Sequence, residues 1–249
     1  MLRFLCALLL MPLPAAGEEV IAGLSQSRIA ITTDFDGSEI LVFGAVKREA
    51  STDNDLPLEV VIAVAGPSKP VLVRRKSKRL GIWVNTDVVE VDEAPVFYAV
   101  ATSAPWETVL RDIEDLRHHV SIRRAIRSVG ATVPDSEAFT EALIRINENK
   151  GLYQTNIGAV AVNDQTLFST SVRLPANLTE GEYHARFFLT RDGRVISTHD
   201  SIIDVQKVGL ERFLFRLSRE APLIYGLMSL AIAIFAGWAA SAAFRLARN

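Results

Sequence analysis

Cysteine is almost absent from this sequence, and neither sign of charge predominates. Cys6 is the only cysteine among 249 residues, and it lies in an N-terminal apolar segment that we expect to be removed. Disulfides, thiol catalysis and cysteine-based metal sites are therefore excluded for the mature chain. The 27 basic and 29 acidic residues give a net charge of −2. This balance argues against a nucleic-acid partner, because nucleic-acid-binding proteins usually carry a basic surplus.

Catalytic motifs are also lacking. The sequence contains no Gly-x-Ser-x-Gly nucleophile elbow and no glycine-rich phosphate loop. His118 and His119 are adjacent on a predicted helix and face different directions, so they are poorly placed to chelate one metal. His184 and His199 fall on neighbouring predicted strands, but no third ligand accompanies them. We therefore predict that the protein is not an enzyme and has neither a metal nor a cofactor.

One long stretch lacks charge altogether. Residues 222–244 are 23 uncharged residues, and as a helix they reach roughly 34 Å, enough to cross a hydrocarbon core of about 30 Å. Within lipid, a helix satisfies all its backbone hydrogen bonds inside one segment. We therefore predict one transmembrane helix over 222–244 and a short tail over 245–249.

The N-terminal segment, residues 1–17, has the features of a secretory signal. Arg3 supplies a positive charge, an apolar stretch follows, and Ala15-Ala16-Gly17 provides a small-residue cleavage site. The alternative is an uncleaved anchor, but about ten apolar residues are short for a membrane span. The signal and the later helix predict a bacterial inner-membrane protein with its main domain in the periplasm and its C-terminus in the cytoplasm. The cations on the N-terminal side of the helix outnumber those of the C-terminal tail, which is opposite to the positive-inside trend. A segment that is already being translocated moves largely regardless of such charges, so the predicted orientation is kept.

Short segments rich in β-branched residues fill two blocks of the chain, residues 18–103 and 152–206. Turn formers such as Gly66-Pro67 separate the segments. The predicted strands are 28–31, 39–43, 58–64, 70–73, 80–84, 95–100, 157–162, 165–174, 182–190 and 194–205. Their spacing of about ten residues indicates a β-sandwich and a mainly β fold class.

The apolar period changes to three and four residues within 104–151. The spacing from Trp106 to Val120 predicts a helix over about 105–129, and Phe139 and Leu143 mark a second helix over about 136–150. We expect a two-helix hairpin inserted between the blocks of strands, which either caps the sandwich or forms its own lobe.

Residues 178–185 resemble the tyrosine corner of an immunoglobulin-like domain. Tyr183 lies two residues before Ala185, and Ala185 occupies the position of that fold's second cysteine. The resemblance implies an immunoglobulin-like β-sandwich that the last two strands close, with the helical hairpin as an insertion.

Short motifs over the whole chain resemble an uncharacterised family of alphaproteobacterial single-pass transmembrane proteins. These motifs are Val42-Phe-Gly-Ala45, Gly66-Pro67, Val73-Arg-Arg-Lys76, Gly81-Ile-Trp-Val-Asn85, Phe97-Tyr-Ala-Val100 and Arg191-Asp-Gly193. The resemblance implies a membrane location and carries no activity over to this chain.

A group of cations beside a predicted turn is the strongest candidate site. Its members and the aromatic residue on the returning strand are Arg74, Arg75, Lys76, Lys78, Arg79 and Trp83. Guanidinium groups bind phosphate, sulfate or carboxylate, and an indole ring stacks on flat ligands or on guanidinium groups. The group is either a site for a small anion or an anionic lipid headgroup, or a solvated strand edge whose cations discourage aggregation.

Two further features adjoin or lie in the membrane. Residues 207–221 predict a basic amphipathic juxtamembrane helix or, alternatively, a straight extension of the spanning helix. Ser229, Ala233, Gly237 and Ser241 repeat at every fourth position, a spacing that either lets another helix approach closely or faces lipid.

These features predict a non-catalytic interaction module anchored in the inner membrane, such as an accessory to a membrane transporter. Its predicted partners are membrane lipid and either another membrane protein or a second copy of the chain, paired through the transmembrane helix. The alternative is a periplasmic binding module for a small anion or an anionic lipid headgroup.

Overall fold

The computed structural model describes residues 19–32, 35–47, 56–128, 135–208 and 210–247, so the predicted signal segment lies outside the described residues. The chain is mainly β, as predicted. The strands are β1 Glu19–Leu24, β2 Arg28–Ile31, β3 Gly37–Lys47, β4 Leu58–Ala65, β5 Ser68–Arg79, β6 Ile82–Pro95, β7 Tyr98–Thr102, β8 Tyr153–Asn156, β9 Ala161–Asn163, β10 Leu167–Pro175, β11 Gly181–Arg191 and β12 Arg194–Lys207. The helices are α1 Trp106–Val109, α2 Asp112–His118, α3 Ile122–Ala125, α4 Ser136–Asn149, α5 Leu210–Glu220 and α6 Pro222–Ala247.

Two sheets form a sandwich. Sheet A has the strand order β1-β3-β10-β9, and sheet B has the order β2-β12-β11-β4-β7-β8. Side chains from both sheets form a first core, in which Val42, Phe168 and Phe187 are at most 2 % exposed. Tyr183, Ala185 and Phe187 alternate along β11 toward this core.

An outer layer covers the other face of sheet B. Strands β4 and β7 are buried at nearly every position, which is typical of strands that are covered on both faces. Val61, Tyr98 and Phe188 of sheet B form a second core with Val89 of β6 and Phe139 of α4. The hairpin β5–β6 and the helices α1–α4 therefore pack on the sandwich.

The prediction of one continuous helix over about 105–129 is wrong, whereas the second predicted helix is confirmed as α4. In the described part of that stretch the chain forms the three short helices α1, α2 and α3. Leu110 and Ser121 are extended, and His119 has a left-handed backbone with a φ of 51°. The apolar spacing did not distinguish the two cases, because three short helices can direct apolar side chains toward the core at the same spacing as one long helix.

A buried carboxylate holds the chain reversal between α2 and α3. Asp115 accepts hydrogen bonds from the backbone N–H groups of Val120 at 3.1 Å and Ser121 at 2.7 Å, and from the Ser121 hydroxyl at 2.7 Å. These bonds satisfy donors that a continuing helix would have paired with backbone carbonyls. The side chain of Asp115 therefore explains why the helix stops here.

The hairpin β5–β6 departs from the prediction that residues 70–73 and 80–84 are sandwich strands. Its strands have 12 and 14 residues, and among the described strands they pair only with each other. Val73 and Val91 anchor the half of the hairpin nearest the body in the second core. The far half extends beyond that contact.

None of the C-terminal residues whose burial the structure describes belongs to either core. The residues assigned to both cores lie between Val20 and Val205, so the described apolar interior of the β body is formed without α5 and α6. The segment Pro222–Ser241 is long and apolar enough to cross a membrane, in agreement with the predicted span. Helical hydrogen bonds continue at the junction of α5 and α6, where the Ala221 N–H donates to the Leu217 carbonyl at 3.1 Å.

Candidate functional site

The cationic hairpin presents its charges on two faces. Residues opposite each other in an antiparallel pair share a face, and side chains alternate along each strand. Lys78 lies opposite Trp83, and Lys76 lies opposite Asn85. One face, which we call the outer face, therefore carries Arg74, Lys76, Lys78 and Trp83. All four side chains are exposed, and the three cations form no ion pair with any described residue.

Arg75 lies on the opposite face and already has partners. Its Nη2 donates to Asp135 Oδ2 at 2.5 Å, and its Nη1 is 4.0 Å from Asp87 Oδ2. Its guanidinium carbon lies 4.5 Å from the centroid of the Phe139 ring. Arg75 therefore ties the hairpin to α4. Arg79 lies four residues after Arg75 on the same strand and therefore shares its face. The structure thus places four of the six predicted residues on the outer face and the other two, Arg75 and Arg79, on the opposite face.

The tip of the hairpin exposes apolar side chains. Leu80 and Gly81 have φ values of 50° and 86°, as in a two-residue hairpin turn with positive φ at both positions. Leu80 is fully exposed, Ile82 is 64 % exposed and Trp83 is 68 % exposed. Apolar side chains clustered at an exposed tip indicate an interaction surface.

The predicted helix-pairing residues form a stripe along α6. Ser229, Ala233, Gly237 and Ser241 are all exposed, and four-residue steps keep them on one side of the helix. A Cβ atom added at Gly237 would meet no atom within 4 Å. The stripe is therefore uncovered by the described residues of this chain.

The histidine pair considered from the sequence does not form. His199 lies opposite Phe187, whereas His184 lies opposite Ile202. Because Phe187 and His184 alternate along β11, the two imidazoles are on opposite faces of sheet B. Among the described residues no group of three or more His, Cys, Asp or Glu side chains is placed to hold a metal ion.

Three buried tyrosines donate hydrogen bonds to backbone carbonyls. The pairs are Tyr98 to Val120 at 2.6 Å, Tyr153 to Pro95 at 2.8 Å and Tyr183 to Thr179 at 2.8 Å. Burial raises the pKa of each phenol from 10.0 to about 12, because the charged form would be poorly solvated. The three buried tyrosines therefore remain neutral donors at neutral pH.

Sequence reasoning missed a cleft of about 810 Å³ between β11 and the turn from α2 to α3. Its charged or titratable side chains include Glu182, His184 and Arg186 on one wall and His119, Arg124 and Arg127 on the other. Glu182, His184 and Arg186 alternate along β11, a pattern that from the sequence alone indicates a solvated face. The outer layer turns that face into the wall of a cleft.

A protein-family model described as "Putative transmembrane protein" (Alph_Pro_TM) matches residues 19–246. The match extends from the first strand of the sandwich almost to the end of α6. A comparison with curated proteins gives no match.

Proposed function

The chain belongs to the Alph_Pro_TM family, whose model matches residues 19–246, and from this premise we propose that it is a non-catalytic, membrane-anchored interaction module. The membership confirms the family resemblance of the sequence motifs. The protein is a membrane protein with one candidate transmembrane helix in the described part of the chain. In this proposal the β body binds a partner and the helix holds it at the membrane.

The observation that carries this proposal is the uncovered C-terminal helix. No residue of the candidate span is buried against the rest of the described chain, whereas the β body encloses both of its cores. The helix is therefore available to lipid or to a second membrane helix, as an anchor requires.

We place the body in the periplasm and the C-terminus in the cytoplasm of a bacterial inner membrane. The signal-like residues 1–17 and the apolar span support this orientation. A β-lactamase fused after Asn249 should then give no antibiotic resistance, because the enzyme would remain in the cytoplasm. Resistance from that fusion would contradict the orientation.

The small-residue stripe supports pairing with another helix, either of a transporter or of a second copy. Leucine at Gly237 would keep the backbones apart, whereas leucine at Ala239 lies about 200° around the helix and serves as the matched control. Two differently tagged copies of the full chain, extracted in mild detergent, should co-purify with each other or with a membrane-protein partner. Gly237→Leu should abolish this association and Ala239→Leu should keep it. Equal recovery for both variants, or no partner for the native chain, would contradict the proposal.

A second candidate function is the binding of a small anion or an anionic lipid headgroup by the outer face. The row of Arg74, Lys76 and Lys78 beside Trp83 supports it, since strands place alternate side chains about 7 Å apart. Unpaired cations at this spacing suit several phosphate groups, and Trp83 suits the lipid interface. Binding to vesicles with and without anionic lipid tests this candidate.

We also infer that the body is an immunoglobulin-like sandwich. The order β1-β3-β10-β9 matches the A-B-E-D sheet of that fold, and β4-β11-β12 matches its C-F-G sheet. The hydrogen bond from Tyr183 to Thr179 supports the predicted tyrosine corner. Such domains serve many functions, so this likeness alone assigns none.

A further inference from the structure

The cleft beside β11 brings cations together from two separate elements. Arg124 and Arg127 come from α3 and the residues just after it, and Arg186 comes from β11. Its volume of about 810 Å³ is within the usual range of small-molecule sites, roughly 300–1,000 Å³. We propose that this cleft binds a small organic anion whose phosphate or carboxylate group is held by Arg124 and Arg127, with Arg186 on the facing wall. The proposal goes beyond the anchoring function, since it concerns neither the hairpin nor the membrane helix.

Arg186 is a cation whose position is fixed before any ligand arrives. Its Nη1 donates to the His118 carbonyl at 2.8 Å, and its Nη2 donates to the His119 carbonyl at 3.0 Å and to the Tyr98 hydroxyl at 3.1 Å. The two carbonyls lie at the C-terminal end of α2, where the helix dipole favours positive charge. A guanidinium has five N–H donors, so Arg186 keeps donors for a ligand while its position is held by the fold.

Arg124 and Arg127 have exposed side chains on a fixed backbone. The Arg127 N–H donates to the Glu93 carbonyl at 2.9 Å, and the Glu93 N–H donates to the Arg127 carbonyl at 3.1 Å. This isolated bridge sets the position from which the Arg127 side chain enters the cleft. Neither arginine forms an ion pair with another described residue, so both guanidinium groups are available for a bidentate bond to an oxyanion.

The acidic residues of the cleft limit the kind of anion. Glu93 and Glu182 line it together with the three arginines, which leaves a formal surplus of one positive charge when the histidines are neutral. A long polyanion would be repelled by the glutamates once the first charges were neutralised. The arrangement therefore fits a compact ligand with few oxyanion groups.

Direct titration of the full chain in nonionic detergent micelles tests the proposal, with inorganic phosphate and citrate as probes. We expect at least one probe to bind the native chain at millimolar concentration or below, with one site per chain. Arg127→Glu should weaken that binding about tenfold or more, because it removes a charge-assisted hydrogen bond and adds a repulsive charge. Arg173→Glu, an exposed position on β10, is the matched control and should bind like the native chain.

Arg124→Glu is the second test variant and should weaken binding as Arg127→Glu does, and thermal unfolding shows that each variant remains folded. Absence of binding by both probes would overturn the proposal, as would native affinity in both cleft variants. Equal weakening by Arg173→Glu would also overturn it, because the effect would then reflect total charge. Lys76→Ser/Lys78→Ser separates this cleft from the hairpin: probe binding that is lost in this variant but kept in both cleft variants would assign the anion to the hairpin and overturn the proposal.

Discussion

Loss of Lys76 and Lys78 from the outer face of the hairpin should release the β body from anionic membranes. Both side chains are exposed, and neither forms an ion pair with a described residue, so Lys76→Ser/Lys78→Ser should leave the fold intact. A cation held close to an anionic membrane surface contributes about 1 kcal/mol to binding. Removing two such cations should therefore lower the vesicle partition coefficient roughly 30-fold.

Sedimentation with phosphatidylcholine vesicles, with and without phosphatidylglycerol, measures this coefficient. The protein used is the fragment 19–208, because both cores lie within it and the membrane helix would otherwise dominate binding. Arg173→Ser/Arg194→Ser is the matched control, since it removes the same charge from exposed positions on β10 and β12. Raised salt should weaken native binding, because screening shortens the reach of the cations.

Two results would refute this reasoning. Equal partition of the two double variants would show that total charge, rather than the outer face, determines binding. Native binding that is the same with and without phosphatidylglycerol would show that the hairpin does not recognise anionic headgroups. Competition by inorganic phosphate at constant ionic strength would instead identify a free anion as the ligand of this surface.

Four further predictions concern stability. Tyr183→Phe should lower the free energy of unfolding by about 1–3 kcal/mol in urea titration, because the Thr179 carbonyl loses its donor; an unchanged midpoint would contradict this. Gly193→Ala should cost at least about 1–2 kcal/mol, since its φ is 68° and the new Cβ would lie 2.7 Å from Arg111 Cγ, and native stability would show that the turn can relax. Arg75→Ala should lower the melting temperature but leave vesicle binding unchanged, because Arg75 contacts α4; weakened binding would place Arg75 in the lipid site. Finally, thermal melts should show that stability falls between about pH 10 and 12. In the unfolded chain the phenols release their protons near pH 10, whereas in the folded chain the three buried tyrosines keep theirs until about pH 12. Between these values the unfolded state binds fewer protons than the folded state, so rising pH favours unfolding. A flat profile, or an equal fall when Tyr153 is replaced by Phe, would count against that cause.

Most strands and α4 were predictable because local signals and tertiary packing agree there. The predicted strand 157–162 is wrong, since most of its residues lie in the turn between β8 and β9. The predicted strand 28–31 coincides with β2, and the second predicted helix differs from α4 by one residue at its end. The helix over 105–129 failed because its apolar spacing fits three short helices equally well. What decides between them is the pair of hydrogen bonds that the N–H groups of Val120 and Ser121 donate to the Asp115 carboxylate, which no periodicity reveals.

The candidate surfaces were predictable only in part. Arg74, Lys76 and Lys78 are alternate residues of one strand, and alternate residues share a face. The three cations of the outer face were therefore predictable from the sequence. The same parity places Arg75 on the opposite face, but its ion pair with Asp135 joins residues that are 60 positions apart along the chain, and no local pattern predicts that contact. The cleft depends on a contact between β11 and the turn after α2, and no pattern within β11 itself indicates that this face would be covered.

The apolar run from Val60 to Val64 in β4 is one sequence signal that an additional layer covers sheet B. A strand with only one covered face alternates apolar and polar residues, whereas this run does not alternate, and β4 is buried on both faces. The side of sheet B that faces away from sheet A therefore requires a second layer, and β5–β6 with α1–α4 supply it. Because the first core closes between the two sheets without that layer, substitutions on its exposed surface can change the hairpin or the cleft while the sandwich remains intact. The hairpin surface therefore belongs to the outer layer, and the cleft lies between that layer and the face of β11 that it covers.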